Sequence, residues 1–198
     1  ASSAASDVYK RQQEERLERE LGQYREEEAT CNGCAGYPKY DQVTGLLSFN
    51  RFREEVDSVI ASGKGKSCLL VYTDLENFKY FNRKYGYAAG DQLLREFTGY
   101  IIDTLKKRNT AHFTRVVADQ FILFFEEKWN NGSIEAIKRI NNGFIERQQR
   151  KYPEAKLRLR TGVYKVEKDC DGASFAIDAA NYARRQIQDN SPETCLLY

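Results

Sequence analysis

A chain of 198 residues, 41% hydrophobic and 30% charged, suits one domain with a sizeable core plus a tail or linker. Thirteen Tyr and eleven Phe argue against disorder, and 31 basic against 29 acidic residues, a net charge of +2, leave no electrostatic footprint for duplex nucleic acid or an anionic membrane. No apolar run approaches the roughly 20 residues of a transmembrane helix, and the N-terminus lacks the apolar stretch of a signal peptide.

Residues 1–12 are small, polar and unpatterned, and read as a remnant outside the fold. Residues 13–28 are almost solidly charged, with Leu17, Leu21 and Tyr24 on one helical face. That spacing fits a short coiled-coil seam and fits a solvated helix equally well. Residues 29–39 carry two Gly and a Pro and read as a linker. Within it Cys31 and Cys34 have metal-ligand spacing, but the chain's one histidine, His112, lies far away in a strand-like run. The pair therefore reads as two thiols at a turn, and an odd total of five cysteines as the reduced thiols of a cytosolic protein.

The globular part starts near Tyr40. Residues 49–60 have the period of an amphipathic helix, which Gly63 and Gly65 end. Residues 68–72 form a short apolar run before Asp74, as in a buried central strand that this carboxylate closes. A helix is predicted over 91–107, with Leu93, Leu94, Phe97, Ile101 and Leu105 inward. Residues 111–116 and 120–125 are β-rich and separated only by Val117, Ala118 and Asp119, which predicts a hairpin. After Gly132, Ser133 is placed to cap a helix carrying Ile134, Ile137, Ile140 and Phe144. A strand over 157–166 and a helix over 174–188 complete the pattern. Helices interleaved with strands and one hairpin predict an α+β fold, a central, mainly antiparallel sheet surrounded by helices.

Three segments together resemble the GGDEF family of diguanylate cyclases. Asp41, Val43, Thr44, Gly45 and Leu46, with Phe52 following, match its opening motif. Asp74, Phe78, Lys79, Asn82, Tyr85, Gly86, Gly90 and Asp91 match its second motif at nearly every fixed position. Arg115, Asp119 and Phe121 stand where the family has the arginine, acid and phenylalanine of R-x-G-G-[DE]-E-F. The resemblance covers residues 40–190, and the second segment is the most specific. It implies the palm-like nucleotidyl cyclase fold, Mg²⁺ or Mn²⁺ held by Asp74 and Asp119, and GTP as ligand. It also implies that Asn82 and Asp91 read the guanine edge, with Phe78 and Lys79 completing the nucleotide pocket. Taken singly each position has a plainer reading: a turn carboxylate for Asp74, a surface lysine for Lys79, a helix-end residue for Asn82, an N-cap for Asp91. Their joint order and spacing favour an inherited pocket.

The third segment departs from the family. Its two glycines are Val117 and Ala118, which either reshapes the turn or strains it by about 1–3 kcal/mol. The catalytic glutamate is Gln120, an amide that brings no charge to a metal. The inhibitory-site motif keeps Arg108 and lacks its aspartate, the residue there being Ala111. The basic residue near the phosphates at the end of the last helix aligns with Ile187 and Gln188; Arg184 and Arg185 are able to substitute, although a surface role is the simpler reading. These losses imply a nucleotidyltransferase lineage whose turnover is relaxed and whose scaffold persists as a GTP-binding or regulatory module. An active, divergent cyclase condensing two GTP into cyclic di-GMP is the alternative. The resemblance further implies a bacterial cytoplasmic setting, tethered to a membrane only through other regions. Its implied partners are a homodimer mate, an upstream sensor and a downstream EAL domain, with residues 191–198 opening the linker to the latter.

Overall fold

The structure, a computed structural model, describes residues 38–64, 68–105, 111–126, 130, 132–189 and 191–198. The charged segment at 13–28, Cys31, Cys34 and Arg108 lie outside the described residues. Among the described residues, five helices and five strands follow in the order α1 (Phe49–Ala61), β1 (Leu69–Glu76), α2 (Phe78–Tyr85), α3 (Tyr87–Leu105), β2 (Ala111–Val117), β3 (Gln120–Phe125), α4 (Ser133–Lys151), β4 (Arg158–Lys165), α5 (Ala173–Arg185) and β5 (Cys195–Leu197), with a 3₁₀ turn at Pro153–Ala155.

The sheet order is β2-β3-β1-β4-β5. All neighbours run antiparallel except β4 and β5, so the α+β expectation holds. Strand β1 is central and buried on both faces, which is why it reads as a continuous apolar run. Alternation then sorts its side chains. Leu69, Val71 and Leu75 join Phe121, Leu123, Leu159 and Val163 in a core covered by α2, α3 and α4. Leu70 and Tyr72 face the other way and pack with Ile122, Phe124 and Tyr164 beneath α1 and α5. Asp74 shares that second face by period.

Several local expectations are corrected. Strand β1 does not close at Asp74. Its ladder with β4 runs on to Glu76 opposite Arg158, which leaves Asp74 inside the sheet. Helix α3 begins at Tyr87, four residues before Asp91, so Asp91 is no N-cap. Gly90 is the place where α2 presses on α3: a Cβ there would lie 1.8 Å from Asn82 Oδ1. Ser133 is the first residue of α4 rather than its cap; its hydroxyl accepts from the Asn130 amide at 3.2 Å. Helix α5 stops at Arg185, and Ile187 beyond it is buried in the core. Strand β5 has no alternating signal, yet Cys195–Leu197 pairs in parallel with Thr161 to Val163.

Two devices fix the sheet to its helices. Gly162 on β4 sits under α5, where a Cβ would meet Ala180 O at 1.9 Å and Arg184 N at 2.4 Å. The alanines of α5 (Ala173, Ala176, Ala180 and Ala183) keep that helix close to the sheet. On the opposite face a buried polar relay joins three elements: Asn141 of α4 donates to Thr161 Oγ1 at 2.8 Å, which lies 2.8 Å from Thr73 Oγ1.

Candidate functional site

The register of the sheet assembles the first cluster. Asp74 has Gln120 opposite it on β3 and Arg160 opposite it on β4. Its carboxyl is buried and its Oδ2 accepts from two guanidinium groups, Arg184 Nη1 at 2.6 Å and Arg160 Nη2 at 3.2 Å. Arg184 is only 8% exposed, so the surface role expected for it is wrong. The contact that Gly162 permits brings the end of α5 onto β1. Arg184 is also held elsewhere. Its Nε and Nη2 donate to Asn181 Oδ1 at 3.0 and 2.8 Å, and its guanidinium lies 5.2 Å from the centre of the Tyr72 ring. Arg160 continues outward to Asp189 at 3.1 Å and Glu76 at 3.6 Å. The second oxygen of Asp74, Oδ1, is buried without a hydrogen-bond partner.

Gln120 does not point idly at this carboxylate. Its Oε1 accepts from the Tyr72 hydroxyl at 2.7 Å, and burial pushes that phenol up from its ordinary range. Tyr72 precedes Asp74 by two residues, so the strand period puts both side chains on one face.

The turn beside them has two residues, Ala118 and Asp119, between Val117 at the end of β2 and Gln120 at the start of β3. The expected strain at Val117 is not there. Val117 stands exposed at the strand end, and the positive φ of 51° falls on Ala118. A left-handed alanine costs about 1–2 kcal/mol, so the loss of the glycines is felt at one position, not two. The irregular register between Arg115 and Val117 accompanies the change. Arg115 braces the turn: its Nε donates to Ala118 O at 2.7 Å, and its Nη1 pairs with both oxygens of Asp41 at 3.3 Å. Asp41 in turn accepts from the Thr44 amide and hydroxyl at 2.9 and 2.7 Å. The first and third sequence motifs are therefore one hydrogen-bonded unit. The carbonyl of Asp119 accepts from Leu75 N at 3.2 Å. Burial pushes the Asp119 carboxyl above its ordinary 3.8, and the Asp74 charge adds to the rise.

A second cluster forms across the α2–α3 junction. Asn77 takes a left-handed φ of 68° and starts α2, its amide donating to Lys156 O at 2.7 Å. Phe78 and Asn82 then converge on Gly90, whose hypothetical Cβ would touch Asn82 Oδ1 and lie 3.3 Å from the Phe78 ring. Asn82 Oδ1 is buried without a hydrogen-bond partner, and half-buried Asp91 follows Gly90 directly. Lys79 lies exposed on α2. Two orphan acceptors, on Asp74 and Asn82, thus sit on residues singled out from sequence.

Arg160, Tyr72 and Asn181 were not singled out as site residues, and Arg184 was named only as able to stand in for the basic residue near the phosphates. Tyr72 carried a sequence signal, its place two residues before Asp74; Arg160 and Asn181 require the strand register and the helix contact.

Divalent metal was expected on Asp74 and Asp119. The side chains present do not fit one. Asp74 Oδ2 is shared by two guanidinium groups and Gln120 Oε1 is taken by Tyr72. Among the described residues no group of three or more His, Cys, Asp or Glu is placed to hold a metal ion. A dication about 4 Å from one guanidinium is repelled by about 8 kcal/mol at an effective dielectric of about 20, and both guanidinium groups on Asp74 oppose it together. Among the described residues, too, no helix is long and apolar enough to cross a membrane.

Comparison with known proteins agrees with the motifs. The family profile described as "Diguanylate cyclase, GGDEF domain" matches residues 38–192. Diguanylate cyclase DgcS of Shewanella oneidensis is 32% identical over 89 residues, 44% of this chain and 29% of that protein. Cyclic di-GMP phosphodiesterase PdeR of Escherichia coli is 28% identical over 130 residues, 66% of this chain and 18% of that protein. The chain thus spans less than a third of either curated relative. Among solved structures, the coiled coil and GGDEF domain of DgcB from Caulobacter crescentus superposes with a TM-score of 0.70 at 18% identity, covering 100% of both chains. The active GGEEF domain of a diguanylate cyclase from Vibrio cholerae gives 0.61 at 18% identity, covering 77% of this chain and 97% of that one. With the three motifs in order on this fold, the chain belongs to the GGDEF domain family of diguanylate cyclases, the domain of cyclic di-GMP signalling.

Proposed function

We propose that this domain is a catalytically inactive GGDEF domain that serves as a GTP-binding or regulatory module. The observation that carries the reading is that both groups the family would use for metal and catalysis are engaged internally: Asp74 by Arg184 at 2.6 Å and Gln120 by Tyr72 at 2.7 Å. Asp119 is left as a half-buried carboxylate in a turn whose glycines are gone. Condensation of two triphosphates needs charge neutralised as it develops, and nothing in this cluster supplies a free cation for it.

The second cluster supports retained nucleotide recognition. Asn82 and Asp91 offer the acceptor and donor types that complement guanine, and the unpaired Asn82 Oδ1 sits beside Phe78. Mg²⁺ or Mn²⁺ would arrive with the triphosphate rather than on Asp74. The partial likeness to PdeR, of which the chain covers 18%, supports a place within a longer signalling protein; an EAL or sensor neighbour and a homodimer mate belong to the same proposal.

The test combines turnover and binding. Incubation with GTP and Mg²⁺ or Mn²⁺ is expected to yield no cyclic di-GMP by chromatography; robust product would make the domain a divergent cyclase. Calorimetry is expected to show GTP preferred over ATP, with Asp91→Ala weakening GTP by up to roughly a hundredfold as guanine N–H groups lose their acceptor. Equal binding of both nucleotides, or neither, would leave a scaffold without a ligand.

A further inference from the structure

The Asp74 carboxylate is already paired. Two guanidinium groups, Arg184 and Arg160, converge on the Asp74 carboxylate, and the inner arginine is buried and fixed by three residues at once. Asp74 takes its Nη1, Asn181 its Nε and Nη2, and the Tyr72 ring underlies its plane. A guanidinium so held is a positive charge at a set position, oriented by its neighbours before any ligand comes.

We infer that Arg184 is a built-in cation that takes the place of a divalent metal at Asp74, and that its removal opens the site to Mn²⁺ or Mg²⁺. With Arg184 present, a divalent ion would bring two further positive charges to a carboxylate that already holds two guanidinium groups. Without it, Asp74 Oδ1 stays free and Oδ2 keeps only the longer Arg160 contact at 3.2 Å, Asp119 is near enough for its charge to be felt, and the buried carboxylate lacks its main partner. The vacated volume at the end of α5 is lined by the Asn181 amide, the Tyr72 ring and the Asp74 carboxylate, two of them oxygen ligands suited to a hard cation. The inference deepens the reading of an inactive site, and the two fail separately. Turnover without Mn²⁺ uptake at Asp74 overturns the inactive reading alone; Mn²⁺ uptake at Asp74 without turnover overturns this one alone.

The experiment measures Mn²⁺ uptake by electron paramagnetic resonance and the thermal midpoint with and without millimolar Mn²⁺. The chains compared are the parent, Asp74→Asn, Arg184→Met and the double variant Arg184→Met with Asp74→Asn. Methionine keeps the apolar stem over Tyr72 and removes the charge. The parent should show no Mn²⁺ that Asp74→Asn releases and no midpoint shift. Arg184→Met should bind Mn²⁺ at least about tenfold more tightly than the parent and regain thermal stability on adding it, and the double variant should lose both effects. Should Arg184→Met fail to fold, Arg184→Gln carries the same comparison. Parent protein that binds Mn²⁺ through Asp74, or a folded Arg184 variant that takes up none, overturns the inference.

Discussion

Replacement of Gly162 by alanine tests whether the close seat of α5 on the sheet is what builds the site. The added Cβ would lie 1.9 Å from Ala180 O and 2.4 Å from Arg184 N. Both are backbone atoms, so no rotamer change relieves the clash. Restoring an ordinary contact of about 3.5 Å requires α5 to lift by about 1.5 Å, which also draws Arg184 away from Asp74. Overpacking of a core costs about 1–3 kcal/mol, and a clash between two backbones belongs at or above the top of that range. A loss of about 3 kcal/mol lowers the thermal midpoint of a chain this size by about 6–12 °C. Gly99→Ala is the matched control: it lies inside α3 with nothing within 4 Å of an added Cβ, so it should gain about 0.5–1 kcal/mol from helix propensity. Urea unfolding followed by circular dichroism measures both. If Gly162→Ala stays within about 1 kcal/mol of the parent, or the two substitutions act alike, the backbone seat does not hold α5 as argued.

Three further outcomes follow from single side chains. Ala118→Gly, at a φ of 51°, should raise the urea midpoint by about 0.5–1 kcal/mol of stability, and a decrease would show that the turn is unstrained. Glu96 is held below its ordinary 4.5: burial opposes this, but hydrogen bonds from Lys151 at 2.5 Å and Gln148 at 3.0 Å, with the Lys151 charge, outweigh it. A depressed carboxyl stabilises the fold above pH 4.5 and loses that contribution as pH falls through its folded value, so Glu96→Gln should be less stable than the parent at neutral pH and converge with it in acid; a gap that does not change with pH would refute the linkage. Burial pushes the Cys195 thiol up to about 12, so mass-spectrometric mapping at pH 8 should find Cys195 unlabelled by thiol reagents in folded protein and labelled in urea.

The sequence made the regular elements legible wherever period and burial agree. Leu93, Leu94, Phe97, Ile101 and Leu105 are all buried on α3, as their spacing predicts, and the two β-rich runs form the hairpin. Local signals misled where a residue serves a tertiary contact instead. Asp91 reads as an N-cap but lies inside α3, next to the Gly90 gap that admits Asn82, and Ser133 reads as a cap but sits inside the first turn of α4. The motifs placed Asp74, Asn82 and Asp91 on the elements that bear them. They were silent on Arg160, and gave Arg184 only as a substitute for a basic residue near the phosphates, because one meets Asp74 through strand register and the other through a helix seated on Gly162. Strand β5 was illegible because three residues pairing in parallel show no alternation.

The arginine clamp on Asp74 has a place in time as well as in space. The hairpin of β2 and β3 joins neighbours in sequence, whereas Tyr72 reaches Gln120 across 48 residues, Asp74 reaches Arg160 across 86 and Arg184 across 110. Loop-closure entropy grows with separation, so contacts of this span form after local ones have shortened the effective loops. The Asp74–Arg184 pair therefore closes late, once β1, β4 and α5 are all in register, alongside the contacts of still longer span between α1 and α5. Its carboxylate stays open to water until then, and burying it belongs to the late steps of folding.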